Sequence, residues 1–130
     1  MMKLYSNPQS RGMTVMLLLQ ELGITDQVEI INVPYENMHQ AEYLAINPMG
    51  KVPCLVDQDV IITEVAAIFT YLADKYIEKG LAPTLDDPKR GAYLKWMFFT
   101  HGPLTEFMDL KGLGVPDEQI EQRTRSLSFG

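Results

Sequence analysis

The chain alternates short apolar runs with stretches of helical spacing, and the alternation predicts a mixed α/β order. Residues 3–6 read as a short strand, stopped by Asn7-Pro8. Residues 11–22 follow with Val15, Leu18, Leu19 and Leu22 at i, i+3, i+4 and i+7, the apolar face of a helix. Gly23 is placed to cap it. Residues 28–33 are β-branched and apolar, a buried strand that Pro34 ends. Residues 36–46 predict a weakly patterned helix, and Asn47-Pro48-Met49-Gly50 a turn. Residues 51–56 and 60–62 predict a hairpin around Asp57-Gln58-Asp59. Residues 64–76 predict a helix, with Thr63 as its cap and Val65, Ile68, Phe69 and Leu72 as its buried stripe.

The first 80 residues therefore run strand, helix, strand, helix, strand, strand, helix. A right-handed crossover joins the first two strands in parallel, and the hairpin adds antiparallel pairing. The expected architecture is a small mixed sheet with helices on its faces. Residues 81–86 read as a linker. Asp87-Pro88 then predicts a helix start, with Asp as cap and Pro at the first helical position. That helix is expected to reach about Thr100, where Gly102-Pro103 interrupts or kinks it. Pro116-Asp117 predicts one more helix, with only Ile120 and Leu127 to form a buried face.

Composition narrows the classes of function. With 46% hydrophobic and 22% charged residues, the 130-residue chain has an ordinary globular balance. Its formal charge of −6, with no run of Lys or Arg, argues against nucleic acid as a direct ligand. The single cysteine, Cys54, excludes an internal disulfide and a Cys-x-x-Cys redox pair, and its place in a strand predicts a buried, inert thiol. His39 and His101 have no Asp, Glu or Cys at ligand spacing, so no metal is expected. No apolar stretch is long enough to span a membrane, and the N-terminus lacks the apolar middle of a secretory signal, so a cytoplasmic location is expected.

Three motifs carry more specific chemistry. They are Tyr5-Ser6-Asn7-Pro8-Gln9-Ser10-Arg11-Gly12, Asn47-Pro48-Met49-Gly50-Lys51-Val52-Pro53-Cys54-Leu55, and Ile62-Thr63-Glu64-Val65-Ala66-Ala67-Ile68 leading into Tyr71-Leu72-Ala73-Asp74-Lys75-Tyr76. Pro53 cannot donate to a sheet ladder, so it belongs at a strand start or edge. Glu64 opens a helix, where unpaired N–H groups favour an anion; a carboxylate side chain there also suits the helix dipole by itself. Ser10 stands just ahead of the first helix, where serine is also a plain cap.

In this order, and with this secondary structure, the motifs resemble the glutathione S-transferase family, most closely its bacterial members with an Asn-Pro-x-Ser-Arg opening. The resemblance covers residues 2 to about 112. It implies a thioredoxin-like domain over residues 1–80 and the start of the family's helical domain over residues 87–130. It also implies a cis bond before Pro53 that presents the Val52 backbone to the cysteinyl part of glutathione, like an added strand. Lys51, Val52, Pro53, Glu64 and Val65 are the implied glutathione contacts. Glu64 holds the γ-glutamyl ammonium, while the N–H groups of Val65 and Ala66 take a carboxylate. The family more often has serine where this chain has Val65, so a hydroxyl contact is lost.

Ser10 is the implied catalytic residue, a hydrogen-bond donor to the glutathione thiolate. A free thiol has a pKa of about 8.5. A hydrogen bond to a charged group contributes about 1.5–3 kcal/mol and a helix end roughly 0.3–1, enough to lower that pKa by about one to three units. Tyr5, Ser6 and Asn7 share the loop and are alternative contacts to the sulfur. Arg11 reads as a solvated first-turn residue. Tyr93, Trp96, Phe98 and Phe99 are expected to line a hydrophobic co-substrate pocket or to belong to a core between domains.

The implied function is a glutathione transferase joining glutathione, as co-substrate, to hydrophobic electrophiles in detoxification, with no metal. The alternative is a non-catalytic interaction module or an inactive fragment on the same fold. Disulfide reduction lacks a thiol at position 10. Family members are usually homodimers through both domains. A second domain that stops early, with aromatic residues on its first helix, predicts a fragment that associates or dissolves poorly.

Overall fold

A computed structural model of the chain describes residues 1–123. Leu127, expected on a buried face, lies outside them. Residues 1–84 form one compact unit, and a second begins at Leu85, within the stretch expected to be a linker.

The first unit is a four-stranded sheet in the order β2-β1-β3-β4. Strand β1 (Met2–Ser6) and β2 (Val28–Asn32) are parallel, joined through α1 (Gly12–Leu22). Strand β3 (Cys54–Asp57) runs antiparallel to β1, and β4 (Val60–Thr63) antiparallel to β3. Helix α3 (Val65–Lys75) follows β4. This is the thioredoxin-like mixed sheet that the sequence predicts.

The register explains the core. Leu4 faces Ile30 on one side and Leu55 on the other, and Leu55 faces Ile62, so one row of the sheet is apolar throughout. Leu4 and Leu55 pack with Val15, Leu19 and Leu22 of α1 and with Ile68 and Leu72 of α3. Period two in the strands and 3.6 in the helices bring these residues to one layer. Gly23 ends α1 with φ of 68°, its N–H bonded to the carbonyls of Gln20 and Leu19.

Several local expectations are corrected. Residues 36–46 are not one helix. They hold a 3-10 turn (Tyr35–Asn37) and the one-turn helix α2 (Ala41–Leu44). The buried residues here are Met38 and Tyr43, which cluster with Val33 ahead of the segment; the three are five apart, a spacing no α-helix keeps on one face. Strand β3 starts after Pro53 and not at residue 51. Thr63 does not cap α3: it is the last residue of β4, and Glu64 occupies the cap position with no side-chain bond.

In the second unit, helix α4 (Arg90–Phe99) starts later than Pro88. Asp87 still organises the entry turn, accepting from the Lys89 N–H at 2.8 Å through Oδ1 and from the Arg90 N–H at 2.9 Å through its carbonyl. Gly102-Pro103 interrupts the α-helix at Thr100, as expected. A π-helical segment (Thr100–Leu104) absorbs Pro103, and α5 (Thr105–Gly112) continues from it. Widening the turn moves the carbonyl that the ring would strike and excuses the missing N–H. Helix α6 (Asp117–Arg123) carries the buried Ile120.

One polar cluster ties the hairpin to the far end of α3. Asp57 accepts a hydrogen bond from Tyr71 at 2.8 Å and pairs with Lys75. The Lys75 hydrogen bond, foremost, holds the Asp57 carboxyl below its ordinary value, against the opposing effect of burial. A depressed carboxyl stabilises the fold above the unfolded pKa of about 4, and the contribution fades as pH falls toward the folded value. Asp57→Asn should therefore lower stability by about 1 kcal/mol at pH 7, a value reduced for the partly exposed lysine. Urea titrations at pH 7 and pH 3 check this. The gap between the two proteins should shrink at pH 3, and an equal gap at both would rule the ion pair out as its source.

Candidate functional site

The loop from β1 to α1 is built around Asn7. Its Nδ2 donates to the Val33 carbonyl at 3.0 Å, and its Oδ1 accepts from the Gln9 N–H at 2.9 Å. These bonds tie the loop to the end of β2, so Ser10 is held by tertiary contacts as well as by the helix it precedes. The Ser10 hydroxyl donates to the Asn7 carbonyl at 2.8 Å and accepts from the Gly12 N–H at 3.0 Å. It thus closes the turn that leads into α1 from one residue before the cap position, Arg11, and its proton already has an acceptor.

The second wall is the turn before β3. Asn47, almost fully buried, accepts from the Met49 N–H at 3.0 Å and donates to the Lys51 carbonyl at 2.8 Å. Gly50 has φ of 63°, and a Cβ there would lie 2.7 Å from His39 Nδ1, so only glycine fits. The Val52–Pro53 bond is cis.

The third wall is the start of α3. Glu64 has φ of 71° and ψ of 125°, outside the regions that a residue with a Cβ normally adopts. The first helical bond runs from the Ile68 N–H to the Glu64 carbonyl at 3.0 Å. The N–H groups of Val65, Ala66 and Ala67 lie upstream of it and have no intrahelical acceptor.

All three walls meet in one cavity of about 440 Å³. Ser10, Lys51, Val52, Pro53, Glu64 and Val65 all line it, so residues far apart in sequence share one surface. Arg11 and Lys51 bring positive charge to it and Glu64 negative charge. Tyr5, Ser6 and Asn7 are not among its lining residues, and Ser6 and Asn7 are buried. In the second unit, Trp96 and Phe98 are exposed. Sequence reasoning missed Tyr35, Met38 and Met49 as lining residues. Tyr35 donates to the Gln9 carbonyl at 3.2 Å across the mouth. No local pattern marks these three, because only the turns between elements bring them there.

The family model described as "Glutathione S-transferase, N-terminal domain" matches residues 1–74. The chain belongs to the glutathione S-transferase family. Family relatives include glutathione S-transferase Z1 of Arabidopsis thaliana, 37% identical over 126 residues that cover 95% of this chain and 57% of the relative. The chain spans about half the length of the curated relatives it matches. Among solved family members, a glutathione transferase from Methylococcus capsulatus is 28% identical with a TM-score of 0.76, over 98% of this chain and 64% of that one. A homologue from Sulfitobacter, solved with bound glutathione, is 26% identical with a TM-score of 0.73, over 96% of this chain and 62% of that one.

Other candidate groups lie outside the cavity lining. Cys54 is fully buried, and burial pushes its thiol above the ordinary range. Among the described residues no three His, Cys, Asp or Glu side chains gather as a metal site. No helix among them is long and apolar enough to cross a membrane.

Proposed function

We propose that this chain binds glutathione and holds its thiol as a thiolate for attack on electrophilic small molecules. The observation that carries this reading is the single cavity shared by Ser10, Lys51, Val52, Glu64 and Val65. Its chemistry fits the tripeptide end by end. The Glu64 carboxylate suits the γ-glutamyl ammonium, the open N–H groups of α3 suit the adjacent carboxylate, and the Val52 backbone suits an extended cysteinyl residue. Lys51 adds a cation for a carboxylate.

In this reading the Ser10 hydroxyl turns from the Asn7 carbonyl to the sulfur and donates to it. The thiol proton leaves to solvent. The sulfur lone pair then forms the new S–C bond, and the electrophile's leaving group departs with its bonding pair. Ser10→Ala should slow conjugation of a chromogenic electrophile by about tenfold or more and shift the rate profile to higher pH, because the thiol loses a charge-assisted bond. Retention on immobilised glutathione should persist. A wild-type chain that is not retained, or a Ser10→Ala chain with an unchanged profile, would contradict the assignment.

A second reading is a glutathione-fold binding module without turnover. It is favoured by the bond from Ser10 to Asn7, which competes with thiolate, and by Val65, which offers no hydroxyl. Retention without conjugation in the same assays selects it.

A further inference from the structure

The Lys51 carbonyl receives two protein donors. One is the Asn47 amide at 2.8 Å, and the other is the hydroxyl of Tyr43 at 2.5 Å. Tyr43 stands on the one-turn helix α2, is 5% exposed, and leans its ring on Tyr5 at 5.8 Å between centroids. Burial, above all, pushes its phenol up to about 12, so it remains a donor through the neutral and mildly alkaline range.

Two donors on one carbonyl do more than anchor it. The peptide group is delocalised, so density drawn toward its oxygen leaves its N–H a stronger donor. The peptide concerned joins Lys51 to Val52, and its N–H belongs to Val52, which lines the cavity. Among the described residues no group of the chain accepts from that N–H.

We propose that Tyr43 and Asn47 are positioning residues for the ligand: they set the plane of the Lys51–Val52 peptide and strengthen the Val52 N–H as donor to the main chain of an extended thiol peptide. The proposal rests on the glutathione reading and extends it to Asn47, which lines the cavity, and to Tyr43 behind its wall. Tyr43 acts from behind the Lys51–Val52 peptide and is not among the lining residues.

Tyr43→Phe removes the donor and keeps the ring. Asn47→Asp removes the Nδ2 donor and keeps the Oδ1 acceptor that Met49 uses. Glutathione titration of both variants and of the wild type gives the affinities. A ¹⁵N spectrum without ligand reports the Val52 amide. We expect Tyr43→Phe to weaken affinity about fivefold, the effect of one neutral hydrogen bond, and Asn47→Asp at least as much. The Val52 nitrogen should shift in both, while the amides of Leu4 and Leu72 stay in place. Should affinity fall only in proportion to the unfolded fraction measured at the same temperature, the role is structural and the proposal fails. Equal affinity in Tyr43→Phe and wild type, or an unmoved Val52 resonance, overturns the positioning role alone. A wild-type chain that glutathione does not titrate overturns both the role and the reading beneath it.

Discussion

Glu64→Gly should raise the thermal midpoint of the chain and weaken its binding of glutathione. The two effects have different origins in one residue. Glu64 holds φ at 71°, where a Cβ crowds its own backbone and glycine does not. Relief of that crowding is worth about 1 kcal/mol, or about 4 °C in midpoint for a chain of this size. The carboxylate, by contrast, faces the cavity that the γ-glutamyl ammonium enters in the proposed complex. Loss of a charge-assisted contact weakens affinity by roughly tenfold to a hundredfold. Glu64→Ala separates the two, because it keeps the Cβ and loses the carboxylate: affinity falls with no gain in midpoint. Thermal scans and glutathione titrations of both variants provide the check. A midpoint that drops in the glycine variant would mean that the backbone at 64 is not strained. Unchanged affinity would remove Glu64 from the ligand contacts. Strain of this kind is kept where a site needs a geometry that the fold does not favour.

Gly12→Ala should cost about 1–3 kcal/mol and disturb Ser10 as well. A Cβ on Gly12 would lie 2.0 Å from the Ser6 hydroxyl oxygen and 3.0 Å from that of Ser10. Ser6 is buried, and its hydroxyl finds no partner among the described residues, so it has little room to turn aside. The collision thus falls on the end of β1 and the start of α1 together, the two elements that hold Ser10. Adding Ser6→Ala should recover part of the lost stability, since the nearest atoms left are the Ser10 hydroxyl oxygen at 3.0 Å and the Cβ of residue 6 at 3.1 Å. Urea unfolding of the single and double variants measures the recovery. Strict additivity would show that Ser6 is not what Gly12 makes room for.

The strands and long helices of the first unit are legible in the sequence because each carries its own period. Val15, Leu19 and Leu22 mark one helical face, and Ile68 and Leu72 another, and all five are buried. The segment at 36–46 is less legible. Its buried residues are chosen by the hollow beside Tyr5, Ile46 and Val52, and not by a helical repeat. Pro103 marks where the α-helix is interrupted but not the form of the interruption. A proline rule assumes that the helix stays α, whereas a wider turn accommodates the ring.

The sequence by itself determined the strands and long helices of the first unit, the glycine that ends α1, and the three motifs whose residues come to line one cavity. Those properties follow from side-chain size, periodicity and backbone freedom within a few residues. Only the tertiary structure decided that Ser10, Lys51 and Glu64 face one cavity, that Ser6 and Asn7 turn inward, and that Tyr43 reaches the Lys51 carbonyl. These depend on strand register and loop anchoring between residues tens of positions apart, and no local pattern encodes a distance across a sheet.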